Sequence, residues 1–343
     1  MNATDICTSL VENTSRVIVG KKRVIELMTI ALLAEGHVLL EDIPGLGKTV
    51  MAKALAISMG GDFRRIQFTP DLLPSDVTGF SVYDQKSGDF VFHPGPVMSN
   101  VLLADEINRT IPRTQSSLLE SMSEFQVTVD GTTRILPKPF FVIATQNPIE
   151  MDGTFPLPEA QLDRFLLRID LGYPDRNEEL AILDRFIKND PLDTLPAVTS
   201  PGQIHELQLH RREIRVSRPV REYIADLVGA TRSHPKVRYG VSPRGSLGLM
   251  KAAQASALLN GRDFVIPDDV MDLASSVLAH RIILRHEERA KGASAQLVVD
   301  EILSRLPVPD PADTDQAVRT PADPDQAVRT PAGLDQAVFR PDR

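Results

Sequence analysis

Five short strand-like segments alternate with patterns of helical period over the first half of the chain. They span residues 37–40, 65–68, 101–104, 140–145 and 166–171. Strands that alternate with helices are typical of a parallel sheet with helices on its faces. The pattern therefore predicts an α/β core over residues 1–172, built on a five-stranded parallel sheet.

The pattern changes after residue 174, where strand-like runs stop and apolar residues recur at helical spacing. The clearest helical runs lie around residues 220–228 and 270–278. Pro219 and Pro267 stand where the first turn of a helix tolerates proline. We predict a smaller, all-α domain over residues 173–305.

The last part of the chain, residues 306–343, contains three near-copies of a ten-residue unit. The copies are residues 311–320, 321–330 and 331–340, and they share the pattern Pro-Ala-x-x-Asp-Gln-Ala-Val. The unit is too short and too poor in large apolar residues to form a packed repeat layer. The composition predicts disorder, with a tether or a partner-docking segment as the alternative.

Composition narrows the class of protein. The net charge of −8 disfavours nucleic acid as the main ligand, because binding to a phosphate backbone needs a basic face. The single cysteine, Cys7, is compatible with a reducing cytoplasm. The longest apolar runs are far shorter than the roughly 20 residues of a membrane-spanning helix. The expectation is a cytoplasmic protein without a transmembrane segment.

A phosphate-binding loop follows the first predicted strand. Residues 41–49 read EDIPGLGKT and lead into an apolar helical pattern. Gly45 and Gly47 let backbone amides surround an anion, Lys48 can bridge phosphate oxygens, and the Thr49 hydroxyl can bind Mg²⁺. Asp42 stands where the strict pattern has its first glycine. The segment predicts a site for ATP with Mg²⁺.

Two further strands end in polar side chains suited to phosphoryl transfer. The third strand is followed directly by Asp105 and Glu106. We expect Asp105 to hold magnesium through water and Glu106 to polarise the attacking water. The fourth strand leads to Asn147, whose amide can orient that water. Arg164 and Arg244 could each stabilise charge on the transferred phosphate or form a surface ion pair, and chemistry alone leaves both open.

The ordered set of motifs resembles the AAA+ ATPases and, within them, the MoxR family, over roughly residues 10–305. The likeness is carried by segments 40–49 (LEDIPGLGKT), 67–76 (QFTPDLLPSD), 103–109 (LADEINR), 144–148 (ATQNP) and 157–165 (LPEAQLDRF). The resemblance implies that Asn147 is sensor 1. It also implies that Arg164 is the arginine finger, which reaches the ATP of a neighbouring subunit. Arg244 is then the sensor 2 arginine of a lid that closes over the site of its own chain.

The resemblance also implies which residues contact the nucleotide. Val19 and Gly20 are expected near the adenine, and the loop with the start of its helix surrounds the phosphates. The complete predicted set is Val19, Gly20, Asp42, Ile43, Pro44, Gly45, Leu46, Gly47, Lys48, Thr49 and Val50.

Two segments of alternating apolar residues, 80–92 and 125–136, each surround a turn containing Asp and Gly and predict hairpins. They resemble the inserts of this AAA+ branch that face a pore or a substrate, so Tyr83 and Lys86 become hypothetical contacts. The family likeness implies a hexameric ring and a remodeller, or chaperone, for partner proteins, often ones with a von Willebrand factor A domain. A metal-insertion motor like the magnesium chelatase ATPase subunit and a slow ATP-dependent regulatory scaffold are the alternatives.

Overall fold

The protein is described by a computed structural model that covers residues 2–41, 45–147, 154–187 and 190–310. Three predicted nucleotide contacts, Asp42, Ile43 and Pro44, lie outside these residues. The repeats from residue 311 onwards, with their predicted disorder, lie outside them too. In the described ranges, no helix combines the length and the apolar character needed to cross a bilayer.

A five-stranded parallel sheet forms the centre of the molecule, as predicted. The strands of the core are, in chain order, β1 (Val38–Glu41), β2 (Phe63–Gln67), β3 (Gly79–Asp84), β4 (Asp89–Pro94), β5 (Val101–Asp105), β6 (Gln126–Val129), β7 (Thr132–Ile135), β8 (Phe141–Gln146) and β9 (Leu167–Ile169). The sheet has the order β2-β5-β8-β1-β9. Each of the five predicted strands is therefore found in this sheet, with ends shifted by at most two residues.

Alternation along the central strands divides the apolar core between the two faces of the sheet. In β5, Val101 and Leu103 face one apolar cluster, whereas Leu102 and Ala104 face the other. β8 repeats this division, because successive side chains of a strand point to opposite faces. Both faces are covered by apolar groups, so these strands read as continuous hydrophobic runs.

Helices on both sides cover the sheet. In chain order they are α1 (Ala3–Ser15), α2 (Lys22–Leu33), α3 (Lys48–Ser58), α4 (Pro74–Thr78), α5 (Pro112–Glu124) and α6 (Glu159–Leu162). Asn2 and Asp5 form a reciprocal capping box that fixes the start of α1. A short 3-10 helix, Ile107–Arg109, follows β5. The connections place α3 directly after the loop that follows β1.

Two antiparallel hairpins extend from this core where the alternating patterns predicted them. β3 pairs with β4, and β6 pairs with β7. Asp130 and Gly131 adopt positive φ angles of 51° and 74° in the second turn, as a tight hairpin turn requires. The guanidinium of Arg134 lies 3.8 Å from the ring centre of Phe92, so a cation–π contact links the hairpins.

The C-terminal part is a helical lid, as expected. Its helices are α7 (Arg176–Phe186), α8 (Pro201–Arg211), α9 (Arg218–Ser233), α10 (Pro243–Leu259), α11 (Pro267–Leu278), α12 (His286–Ala290) and α13 (Ala295–Arg305), with 3-10 turns at Pro191–Thr194 and Ala279–Arg281. Pro219 and Pro267 lie in the first turns of α9 and α11.

One addition corrects the all-α description of this lid. β10 (Val237–Tyr239) and β11 (Ile283–Leu284) form a short antiparallel ribbon. Apolar side chains of α9, α10, α11 and α13 belong to the same buried cluster as those of α1, α2 and α3. The lid therefore packs directly against the core.

Candidate functional site

The phosphate loop connects the buried end of β1 to the start of α3. Gly45 and Gly47 have φ angles of 92° and 78°. A Cβ atom at either position would meet no atom of the described residues within 4 Å, so the positive φ angles are the observed reason that favours glycine. α3 begins at Lys48, and its first amides point towards the loop. The described part of the loop thus presents a helix N-terminus and a lysine to an anion.

The two acidic residues lie at the carboxyl end of β5, beside the end of β8. Thr145 of β8 donates its hydroxyl proton to Asp105 Oδ1 at 2.6 Å. The same hydroxyl oxygen accepts the Glu106 N–H at 2.8 Å. Glu106 has a left-handed backbone, with φ 55° and ψ 50°. One buried hydroxyl therefore holds both carboxylate-bearing residues in place.

Besides Thr145, three side chains that the sequence reasoning did not identify contact these carboxylates. Arg65 donates to Asp105 Oδ2 through Nε at 3.1 Å and Nη2 at 2.6 Å. Gln67 and Arg109 donate to Glu106 Oε2 at 2.8 and 3.1 Å. Arg65 and Gln67 alternate along β2, whose carboxyl end lies next to β5. That period-two pattern was the available signal, because parallel neighbours bring their carboxyl ends to one edge.

These residues surround a single cavity of about 290 Å³. Its lining consists of Gly45, Gly47, Lys48, Thr49, Arg65, Gln67, Asp105, Glu106, Thr145 and Asn147. The donor set suits a magnesium phosphate group, because Mg²⁺ prefers carboxylate and hydroxyl oxygen and keeps several waters. Lys48 and the start of α3 supply the complementary positive charge. The structure therefore brings together the described parts of the loop, both acids and Asn147.

An apolar pocket of about 180 Å³ adjoins this cavity and shares Gly45 and Gly47 with it. Val17, Ile18, Val19, Leu46, Val50 and Ile182 provide most of its apolar lining. Val19, Leu46 and Val50 therefore lie where the adenine end of a nucleotide could bind. Gly20 does not line the pocket. The φ of Gly20 is 72°, in the left-handed region that favours glycine, and a Cβ atom there would also lie 1.9 Å from Oε1 of the flexible Glu178 side chain.

The two candidate arginines lie in a separate pocket of about 270 Å³. Arg164 and Arg244 line it together with Lys251 and Arg281, and among the residues that the structure describes it shares none with the phosphate cavity. Arg244, which the resemblance predicts to close over the phosphates of its own chain, is not among the described residues that line the phosphate cavity. α10 packs against α2, α9 and α11, and the Ser242 hydroxyl donates to Asp163 Oδ2 at 3.4 Å. These contacts place the start of α10 beside Arg164 instead.

Comparisons with known proteins match both the core and the lid of this chain. A model of the ATPase family associated with various cellular activities (AAA) matches residues 37–167, and an AAA lid domain model matches residues 229–302. The Bacillus subtilis protein YeaC is 56% identical over 87% of this chain and 93% of its own length. Chaperone MoxR1 of Mycobacterium tuberculosis is 43% identical, covering 86% of this chain and 80% of MoxR1.

A MoxR protein of Paracoccus denitrificans is 34% identical over 85% of this chain and 93% of its own. The chain belongs to the MoxR family of AAA+ ATPases. A crystal structure of a Cytophaga hutchinsonii protein inferred to be an ATPase matches with a TM-score of 0.85 and 40% identity, covering 90% of this chain and 96% of that one. The AAA match in this MoxR-family chain includes Lys48, Asp105, Glu106, Asn147 and Arg164, and the lid match includes Arg244.

Proposed function

We propose that this chain binds ATP with Mg²⁺ and hydrolyses it to ADP and phosphate to remodel partner proteins in the cytoplasm. The observation that carries the proposal is the single cavity that joins Lys48 and Thr49 to Asp105, Glu106 and Asn147. A helix N-terminus, a magnesium-binding carboxylate and a second carboxylate beside it are the parts that hydrolysis of a nucleoside triphosphate needs.

Each residue has a distinct role in this proposal. Lys48 and the start of α3 bind the phosphate oxygens, and Thr49 and Asp105 hold Mg²⁺, which neutralises phosphate charge when it is bound. Glu106 accepts a proton from the attacking water, and the Asn147 amide orients that water. Thr145 fixes the backbone and carboxylate geometry of the two acids. The apolar pocket around Val19 and Val50 receives the adenine.

The position of the two arginines supports a site shared between subunits. Arg164 and Arg244 lie together in a basic pocket apart from the phosphates of their own chain. Guanidinium groups supplied by a neighbouring subunit stabilise transition-state charge in related phosphoryl-transfer systems. In the proposed hexameric ring, this pocket faces the nucleotide of the next subunit, and both arginines act there.

The hairpins are the proposed contact with the client protein. Tyr83 is 54% exposed and Phe90 is 74% exposed, with ring centres 5.5 Å apart in an edge-on arrangement. Ile135 of the second hairpin is 74% exposed. Clustered exposed apolar groups mark protein-binding surfaces. The MoxR relatives, one of them named a chaperone, support a remodelling role. A von Willebrand factor A domain protein is the proposed client.

The test of this function compares the purified chain with Lys48→Ala and Glu106→Gln variants. We expect the wild type to release phosphate from MgATP and the Lys48→Ala variant to lose nucleotide binding. Glu106→Gln should bind ATP with nearly unchanged affinity but hydrolyse it at least about a hundredfold more slowly, because it keeps the binding groups and loses the proton acceptor. Phosphate release and calorimetric nucleotide titration measure the two effects separately.

The same Glu106→Gln variant tests the remodelling part. Stalled with ATP, it should retain a purified von Willebrand factor A domain partner that the Lys48→Ala variant does not retain. Equal hydrolysis by wild type and Glu106→Gln would instead favour the regulatory scaffold. Stimulation of turnover by a metallation substrate, and not by the protein partner, would favour the metal-insertion motor.

A further inference from the structure

Arg281 of the lid holds the segment that carries Arg164. It lies in the 3-10 turn Ala279–Arg281 that follows α11, and its side chain is 4% exposed. Nη1 donates to the Asp163 carbonyl oxygen at 3.2 Å and also to the Asp163 carboxylate. Nη2 donates to the Phe165 carbonyl oxygen at 2.6 Å. One guanidinium therefore contacts the residues on both sides of Arg164.

The hydrogen-bonding capacity of Arg281 is nearly used up by these contacts. Its Nε donates to the Val277 carbonyl oxygen at 2.8 Å, so four acceptors share the five N–H groups of the guanidinium. A planar guanidinium group that is bonded in this way is held in one orientation. Arg281 therefore holds its neighbours in position, whereas Arg164 and Arg244 remain the candidates for contact with a phosphate.

The lid segment that carries Arg281 is itself held in place by buried contacts. Val277 and Leu278, which precede the turn, are fully buried in the apolar cluster of the lid and core. His280 Nε2 lies 3.1 Å from the Phe165 carbonyl oxygen and donates to it as a second lid group. Asp163 compensates the buried charge of Arg281. A change in lid position would therefore move the backbone on either side of Arg164.

We propose that Arg281 is a positioning residue for Arg164, and that through it the lid sets where the finger arginine meets the nucleotide of the neighbouring subunit. The inference rests on the proposed function, in which Arg164 acts on that neighbour. A merely structural Arg281 would hold lid and core together and affect each subunit's own site and stability alike. If Arg281 positions Arg164, replacing it inactivates the site of the neighbouring subunit. If Arg281 is merely structural, replacing it impairs the site of its own subunit.

The test uses subunit mixing. Arg281→Ala should bind ATP as the wild type does and keep its KM within about twofold, whereas kcat should fall at least about tenfold, since finger arginines contribute factors of roughly 10³–10⁵. Glu106→Gln has an inactive site but an intact finger segment. Mixed with it, Arg281→Ala subunits should regain activity well above either variant alone, because the intact finger then serves their sites.

Matched variants serve as controls. Arg262 pairs with Asp269 at 2.6 and 2.7 Å in the same lid and does not contact residues 163–165, so Arg262→Ala should leave kcat near the wild-type value. Arg164→Ala should behave like Arg281→Ala in the mixture. In the double variant Arg164→Ala/Arg281→Ala, the second change should lower kcat no further. If Arg281→Ala does not fold, Arg281→Gln takes its place in every measurement.

Two results would overturn the proposal for Arg281 alone. One is an unchanged kcat in Arg281→Ala. The other is an Arg281→Ala mixture with Glu106→Gln that stays inactive while the Arg164→Ala mixture recovers, because Arg281 would then act on its own site. A mixture of Arg164→Ala with Glu106→Gln that stays inactive would instead overturn the shared site, and the proposal for Arg281 with it.

Discussion

Glu106 has a backbone conformation that side-chain-bearing residues rarely adopt. Its φ of 55° lies in the left-handed region, which costs about 1–2 kcal/mol for a residue other than glycine. The Thr145 hydroxyl accepts the Glu106 N–H and thereby stabilises this conformation. Thr145 is 1% exposed and belongs to the central strand β8. The direction of the Glu106 carboxylate thus depends on a residue of the neighbouring strand.

Replacing Thr145 with valine tests this dependence. Thr145→Val keeps the branched shape but removes the hydroxyl, so the Glu106 N–H and Asp105 Oδ1 each lose a partner. We expect kcat to fall about tenfold to a hundredfold, equivalent to about 1.4–2.7 kcal/mol, with a smaller change in KM. Steady-state phosphate release and nucleotide titration give the two quantities.

Thr145→Ser is the control for that change. Serine keeps the hydroxyl and loses only a methyl group, so it should restore most of kcat. A Thr145→Val protein that hydrolyses ATP as fast as Thr145→Ser would contradict the role of the hydroxyl.

At the residue scale, the sequence identified the groups on the loop and at the ends of β5 and β8, because their motifs have fixed spacing. It did not identify Arg65, Gln67 or Arg109. These side chains reach the acids only through strand pairing and a short 3-10 turn. Contacts of that kind depend on which strands become neighbours, and the order β2-β5-β8 follows from the packed sheet.

At the element scale, His37 links three elements just before β1 begins. Its Nδ1 accepts the Val142 N–H of β8 at 3.1 Å, so its Nε2 carries the proton and donates to the Met122 carbonyl oxygen of α5 at 3.0 Å. The ring is buried between Phe125 and Phe140. Burial lowers the pKa of His37 from 6.5 to about 4. Only the neutral ring fits both hydrogen bonds.

This arrangement predicts a pH dependence of stability. Between pH 6.5 and about 4 the unfolded chain binds a proton at His37 that the folded chain excludes, so the free energy of unfolding should fall as pH falls. His280 is also buried, and burial lowers its pKa to about 3, so it adds a loss of the same sign. The loss due to His37 alone, seen as the difference from a His37→Gln variant, is about 1.4 kcal/mol per pH unit, or about 2 kcal/mol at pH 5. Urea unfolding at about pH 7.5 and pH 5 measures it.

A His37→Gln variant should depend less steeply on pH over this interval, although it is less stable at neutral pH. His93→Gln removes an exposed histidine of β4 and is the matched control. Equal slopes in all three proteins would show that His37 is not the group responsible.

The elements themselves were largely predictable. The five strands of the sheet were visible because they are short, mostly apolar and separated by helical patterns, and the hairpins because Asp130-Gly131 and the Gly88 turn mark them. The ribbon of β10 and β11 was not visible. Its strands have three and two residues and lie 43 residues apart, so no local pattern distinguishes them from loops.

At the scale of the whole molecule, the separation of the two sets of proposed catalytic groups matters most. Lys48, Asp105 and Glu106 line one cavity, and Arg164 and Arg244 line another. The family resemblance already implied that Arg164 acts on a neighbour's nucleotide. It did not predict that Arg244 lies beside Arg164, because Arg244 is placed by the packing of α10 against α2, α9 and α11. An isolated chain therefore holds two incomplete halves of the proposed catalytic site.

This division predicts that hydrolysis depends on assembly. Turnover per subunit should rise with protein concentration and reach a plateau where light scattering detects the ring, because only then does one subunit's Arg164 meet the next subunit's nucleotide. Arg164→Ala and Arg244→Ala should bind ATP and assemble normally. At the plateau Arg164→Ala should be slower by a factor of roughly 10³–10⁵, and Arg244→Ala should also be slower. The contrary result is a turnover per subunit that stays constant down to concentrations at which light scattering detects only monomers. It would mean that each chain completes its own site, and the pocket lined by Arg164 and Arg244 would then need another ligand.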